Sequence, residues 1–293
     1  MPKLVLDKPT RFAFFGTPDI AVLALEELKT HGLIPSLVVT TPDKPKGRGL
    51  VLTPPPVKVW AEAHNIPVLQ PTKLSDADFL SNLKTESYDL FVIVAYGKII
   101  PKEVLSLPRL GTLNMHPSLL PKHRGPSPIE SQILSEKSSR DVGVSIMLLD
   151  EEMDHGPVLA QKNMTGVLQR WPIGARAAYI VFGKMGGALL AETLPRFASG
   201  EIHPIAQEHG QATFSKKITT EDAQINLADN PEENYRKILA YEASSRAYFF
   251  TKKNGSDIRV IITDAELLDG ALAITKVIPA GKKEMTFGEF TRG

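Results

Sequence analysis

The chain contains no cysteine. That removes thiolate nucleophiles, cysteine-type zinc sites and disulfides from the chemistry open to it. No apolar run approaches the ~20 residues of a membrane-spanning helix. The opening Met1-Pro-Lys-Leu-Val-Leu-Asp7 lacks the apolar stretch of a secretion signal. The expectation is a cytoplasmic protein with no membrane partner. His31, His64, His203 and His209 show no metal-ligand spacing, and His155 reads as a loop residue, so no metal is expected. The glycine-rich dinucleotide fingerprint is also missing. Gly16 stands alone, reads as an ordinary strand-to-helix turn and gives no reason to infer NAD. Net charge is only +1, so a grip on nucleic acid would have to be local.

What is there is enough for a sizeable core. The 293 residues are 42% apolar, a length that suits one large domain and one smaller one. Arg11 to Phe15 reads as a strand. Thr17 then offers a cap, Pro18 suits the first helical position, and Ile20, Leu23, Ala24 and Leu28 share one helical face. Gly32 ends the helix, and Leu37 to Thr40 is the next strand. This is the βαβ opening of a Rossmann-like sheet. A helix follows at Val57 to Ala63, a short strand at Pro67 to Leu69, and a helix capped by Ser75 runs through Lys84. Tyr88 to Ala95 is the central strand, and Leu113 to His116 ends another. Ser127-Pro128 opens a helix, and Val142 to Leu149 and Pro157 to Gln161 form a strand hairpin.

Asn114 and His116 lie two residues apart at that strand end and share a face, and Pro117 stops the ladder. A carboxamide beside an imidazole suits acyl chemistry: the amide donates to a developing oxyanion, and the ring donates or moves a proton. A buried Asn-His pair that merely satisfies backbone groups fits the same three residues. The residues that follow, Ser118-Leu-Leu-Pro121, complete a pattern that resembles the signature of folate-dependent formyltransferases. That resemblance implies a third residue, an Asp after a later strand. Here Asp150-Glu-Glu-Met-Asp-His-Gly156 follows Val144 to Leu149, and Asp154 takes the position by motif. By resemblance, Asn114, His116 and Asp154 are catalytic, with Asp154 pairing with the imidazole and favouring its cationic form. Ser118, Leu119, Leu120 and Pro121 would shape the folate pocket, and the backbone of Ala95, Tyr96 and Gly97 would line the pterin. The co-substrate implied is 10-formyltetrahydrofolate. Glu151 and Glu152 read as solvated loop charges.

Between the second strand and the next helix, Thr41 to Lys58 carries four cations against one acid, with five prolines and two glycines. This is an exposed basic loop, either solvated or contacting phosphates. It resembles the insertion of the members of that family that act on methionyl-tRNA. The resemblance makes Lys44, Lys46, Arg48 and Lys58 tRNA contacts and initiator methionyl-tRNA the partner. The oligomeric state is left open, with a monomer expected.

Gly174 to Ala198 reads as a long helix weakened by Gly183, Gly186 and Gly187. The division expected is a catalytic domain over 1–200, a linker over 201–217 and a C-terminal tRNA-binding domain over 218–293. That last domain would be a shortened, β-rich, barrel-like unit. Ala212 to Ile218 resembles its start in the family, and Pro279-Ala-Gly-Lys-Lys-Glu-Met285 resembles its ending. Trp171-Pro-Ile173 and Tyr241 to Ala247 depart from the family's pattern. Three alternatives stay open: an enzyme formylating an amino sugar, a formyltetrahydrofolate hydrolase, and an inert RNA-binding module. An intact Asn114, His116 and Asp154 argue against the last.

Overall fold

Phe12–Gly16 (β1) has every residue buried, because it runs through the middle of a parallel sheet covered on both faces. Leu37–Val39 (β2) and Leu90–Val94 (β6) flank it in parallel. Val68–Leu69 (β5) extends the sheet beyond β2. Thr112–His116 (β7) pairs with β6 in parallel. Gly143–Leu148 (β8) and Val158–Asn163 (β9) then add antiparallel. The order is β5-β2-β1-β6-β7-β8-β9. The carboxyl ends of β1, β6 and β7 therefore point the same way, the edge at which open α/β sheets hold ligands.

The computed structural model describes residues 10–47, 49–253 and 255–292. Packing divides the chain into two units, each discontinuous in sequence. The first takes the chain up to Arg124 with Gly143–Asn163 and Ile180–Phe214; the second takes Gly125–Val142, Met164–Tyr179 and Ser215 onward. Much of the stretch read as a linker thus packs with the first unit: Ile205 forms a β-bridge with Val158, and Phe214 with Arg124.

The helices of the first unit follow the apolar spacing, with corrections at their starts. Asp19–Thr30 (α1) is capped by Pro18, not Thr17; the Thr17 hydroxyl instead donates to the Tyr96 carbonyl at 3.0 Å. The basic loop is not irregular throughout, because Lys44–Lys46 (β3) and Val51–Thr53 (β4) pair as a small hairpin. Pro56–Ala63 (α2) follows it. Ala77–Thr85 (α3) begins after Asp76, not Ser75. Lys102–Leu105 (α4) follows Pro101. The glycines of Ala175–Ala198 (α6) make room for neighbours. A Cβ on Gly187 would lie 2.7 Å from the Ala24 Cα of α1, and one on Gly183 would lie 3.0 Å from the Leu23 side chain. The low helix propensity of glycine is offset by this close approach.

The second unit contains Pro128–Ser135 (α5) and Pro231–Tyr241 (α7). Asn230 caps α7 by accepting from the backbone of Glu232 and Glu233, with Pro231 at the first position and two acids in the first turn. Arg236 of α7 is buried and donates to the Ile133 and Glu136 carbonyls at 2.9 and 2.8 Å, satisfying the open end of α5. Tyr248–Lys253 (β10), Ser256–Leu268 (β11), Ala271–Pro279 (β12) and Met285–Thr286 (β13) form an antiparallel sheet in that order. Among the described residues its first and last strands do not pair. Asp269 and Gly270 both have positive φ, the requirement of a two-residue hairpin turn between β11 and β12. Phe287–Arg292 (α8) closes the chain.

Glu130, in the first turn of α5, is buried, and burial pushes its carboxyl above the ordinary value. One oxygen accepts from the Tyr179 hydroxyl at 2.8 Å; the other has no hydrogen-bond partner among the described residues. Burial likewise pushes the Tyr179 hydroxyl upward. A raised carboxyl contributes stability that is complete below its unfolded value near 4.5 and is lost as pH rises through the folded value. Glu130→Gln keeps an acceptor for Tyr179 and removes the titration. Its melting temperature, compared with wild type, should gain ground between pH 5 and pH 8. A constant difference across that range would show that Glu130 does not titrate with folding.

Candidate active site

The end of β7 sets the first two groups. Asn114 sits opposite Met147 and His116 opposite Ser145 on β8, so the two side chains leave the sheet on one face. Asn114 is half-buried, and its carboxamide makes no hydrogen bond among the described residues. That amide is open to solvent and free to meet a ligand at the strand end. His116 is only 4% exposed. Its Nε2 lies 3.0 Å from the His123 carbonyl, which assigns a proton to that nitrogen. Its Nδ1 faces Asp154 Oδ1 at 3.6 Å, an ion-pair separation longer than a hydrogen bond. Both ring nitrogens therefore face oxygen atoms, one at hydrogen-bond distance and one beyond it.

Asp154 reaches this position because the loop after β8 folds tightly. Asp154 itself is left-handed, with φ +51°. Gly156 presses against the Leu148 carbonyl, leaving no space for a Cβ. Asp150 accepts from the Glu152 backbone at 3.0 Å and contacts His155 Nδ1 at 2.7 Å. Gln207 donates to the Asp154 and Gly156 carbonyls at 2.9 and 2.6 Å. Arg124 donates to Gln207 Oε1 at 2.7 and 3.2 Å, and its Nη2 lies 2.9 Å from His209 Nδ1. The His209 ring stacks on His155 with centroids 4.0 Å apart. Among the described residues no cluster of His, Asp and Glu is arranged to hold a metal.

The remaining expected residues divide by orientation. Ala95 and Gly97 are exposed after β6, both with positive φ, and present open backbone at the carboxyl edge of the sheet. Tyr96 between them turns into the core against Phe15, and burial pushes its hydroxyl up to about 12. Only its carbonyl, held by Thr17, stays with the loops. Ser118 and Leu120 are buried, Leu119 and Pro121 half-buried. The Ser118 hydroxyl donates to the Lys122 carbonyl at 2.6 Å, closing the turn. Ser145 Oγ donates to the Ser118 carbonyl at 2.6 Å and accepts from Leu120 N at 3.0 Å and from Gln161 Nε2 at 2.9 Å. This turn fixes backbone beside Asn114 more than it offers side chains.

Lys44 and Lys46 are exposed on the hairpin. Arg48 lies outside the described residues. Lys58 sits on α2 and is paired with Asp43 at 2.9 Å. Hydrogen bonds from Gln70 and then Lys58 hold the Asp43 carboxyl below its ordinary value. Lys58 thus anchors the base of the hairpin. No local pattern marks Gln207, which lies in the stretch expected as a linker. Arg124 lies in the basic stretch Lys122-His-Arg-Gly125, and Ser145 and Gln161 lie in expected strands, with nothing further to mark them.

Residues 10–169 match the formyl transferase family. Over 89% of its length the chain is 42% identical to the methionyl-tRNA formyltransferase of Chloroflexus aurantiacus, of which 82% is covered. The fold resembles that of an N-formyltransferase from Helicobacter canadensis in complex with folinic acid and dTDP-3-aminofucose. That match has TM-score 0.63 and 17% identity and covers 89% of each chain. It also resembles the methionyl-tRNA formyltransferase from Clostridium thermocellum, with TM-score 0.59 and 16% identity over 92% of this chain and 99% of that one. At such identities these structures establish the fold alone.

The turn's dependence on Ser145 is testable without any substrate. Ser145→Ala leaves the buried Leu120 N–H and Ser118 carbonyl without their partner, which should destabilise the protein by about 1–3 kcal/mol. A denaturation midpoint unchanged from wild type would show that the turn is held by other means.

Proposed function

Because the chain belongs to the methionyl-tRNA formyltransferase family, we propose that Asn114, His116 and Asp154 carry out that family's reaction. The protein is a transferase that moves the formyl group of 10-formyltetrahydrofolate to the amino group of methionyl-tRNA. The products are N-formylmethionyl-tRNA, used to initiate translation, and tetrahydrofolate. The observation that carries the assignment of roles is the unpartnered Asn114 amide beside a buried imidazole with acceptors at both nitrogens.

The donor supplies an already activated formyl carbon with a nitrogen leaving group, so the residues need only orient, stabilise charge and move a proton. The exposed backbone of Ala95 and Gly97 and the pinned Ser118–Pro121 turn flank the place where its flat ring system would lie. Asn114 donates to the formyl oxygen as the amine adds and negative charge builds there. His116, acting as a cation, places positive charge beside that oxygen; its Nε2 proton is already engaged by the His123 carbonyl. Asp154 balances that charge and takes up the proton released by the attacking amine, directly or through a water. The C–N bond to the donor nitrogen then breaks, and that nitrogen takes a proton in turn.

Lys44 and Lys46 on the exposed hairpin contact the phosphates of the acceptor stem, with Arg48, two residues beyond Lys46 in sequence, reading its end. Lys58 supports the hairpin through Asp43. The partner is initiator methionyl-tRNA, and the enzyme acts as a monomer in the cytoplasm.

Asn114→Ala should raise the barrier by roughly 3 kcal/mol, about a hundredfold in kcat. His116→Ala and Asp154→Ala should be at least as slow. Kinetics with methionyl-tRNA check each residue separately, and near wild-type turnover removes that residue from the mechanism. Arg48→Ala should lower kcat/KM for initiator methionyl-tRNA, blunt discrimination against elongator methionyl-tRNA, and leave folate binding unchanged. Equal kinetics on both tRNAs, matching wild type, would mean that Arg48 does not contact the tRNA.

A further inference from the structure

Asp154 is useful only if its carboxylate stays on His116, yet it stands on a loop in a left-handed conformation. Such a backbone persists where the surroundings hold it. We propose that Gln207, oriented by Arg124, is the positioning residue that holds Asp154 for formyl transfer; this rests on the role given to Asp154 above. Gln207 is buried, at 8% exposure, in the stretch after α6 that packs with the first unit. Its amide nitrogen donates to the carbonyls of Asp154 and Gly156, the two residues that flank His155. Its amide oxygen receives two donors from Arg124. A guanidinium only donates, so it fixes the amide with oxygen inward and NH2 toward the loop.

The geometry closes a ring. Arg124 follows His123, whose carbonyl takes the Nε2 proton of His116. One dipeptide therefore sets both partners of the His116–Asp154 pair: His123 through its carbonyl, and Arg124 through Gln207. His209, two residues after Gln207, makes a second contact with the same loop by stacking on His155, which Asp150 holds. A glutamine that only filled space would need neither donor nor acceptor in these directions.

Gln207→Glu is the diagnostic change. The carboxylate still accepts from Arg124, so the buried guanidinium keeps its partner. It donates to neither loop carbonyl. In steady state with 10-formyltetrahydrofolate and methionyl-tRNA, kcat should fall at least about tenfold, with both KM values within about threefold of wild type. Single-turnover rates in an Asp154→Asn background separate positioning from general support. If Gln207 acts through Asp154, adding Gln207→Glu should slow Asp154→Asn by no more than about twofold. Gln207→Met, of similar length and without polar atoms, is the second variant. It should show the same kcat loss and the same non-additivity, with a melting temperature above the assay temperature. Wild-type kcat in either folded variant, or losses that multiply in full with Asp154→Asn, overturns the proposal while leaving the function intact. A wild-type enzyme that does not formylate methionyl-tRNA overturns the function and, with it, this role.

Discussion

A buried imidazole with an acceptor at each ring nitrogen is a demanding arrangement. Nε2 of His116 meets the His123 carbonyl at 3.0 Å, and Nδ1 faces the Asp154 carboxylate at 3.6 Å. Burial makes the pair consequential. Removing one member of a buried ion pair typically costs about 3–5 kcal/mol, against about 0–1 kcal/mol for an exposed pair. Arg196 with Glu201 belongs to the exposed kind, with both side chains more than half in solvent. The features around His116 follow from that difference. Pro117 ends the strand so that the ring stands at its edge, Gly156 allows the loop to fold against Leu148, and Gln207 ties down the backbone that carries Asp154.

The sheet supplies the other half of the site. Continuous apolar strands such as Phe12–Gly16 bury both faces, which leaves function to the strand ends. There the chain leaves β6 through Ala95 and Gly97, both left-handed, and leaves β7 through the Ser118–Pro121 turn. Thr17 joins the β1 and β6 ends by donating to the Tyr96 carbonyl. Behind them, α6 carries glycines where α1 and Met115 approach, so the strand bearing Asn114 and His116 is backed by close packing. Asn114 is left with an amide that no side chain or backbone group among the described residues uses, at the carboxyl end of its strand.

The parts legible in the sequence were those with a local cause. Periodic apolar residues place β1, α1, β6 and β7 within a few residues, because burial on one face or both is written into each segment. Asn114, His116 and Asp154 were legible only together with Ser118 to Pro121, since no spacing links an Asp to a His almost forty residues earlier. Helix starts were misread where a side chain had a better partner elsewhere: Thr17 bonds Tyr96, so it caps nothing. Tyr96 and Ser118 lie in the expected segments, but their side chains turn inward, a choice made by packing. Gln207 and Arg124 meet through contacts 83 residues apart in sequence, and no local pattern announces such a pair.

The hairpin presents exposed lysines, the charge that a nucleic-acid acceptor would meet. The most direct measurement offers the purified protein 10-formyltetrahydrofolate labelled in the formyl group, with methionyl-tRNA and a nucleotide-linked amino sugar in competition. Label on methionyl-tRNA, with a rate that falls as salt rises, is the expected result. Label on the sugar, or release of free formate with neither acceptor labelled, would contradict the assignment.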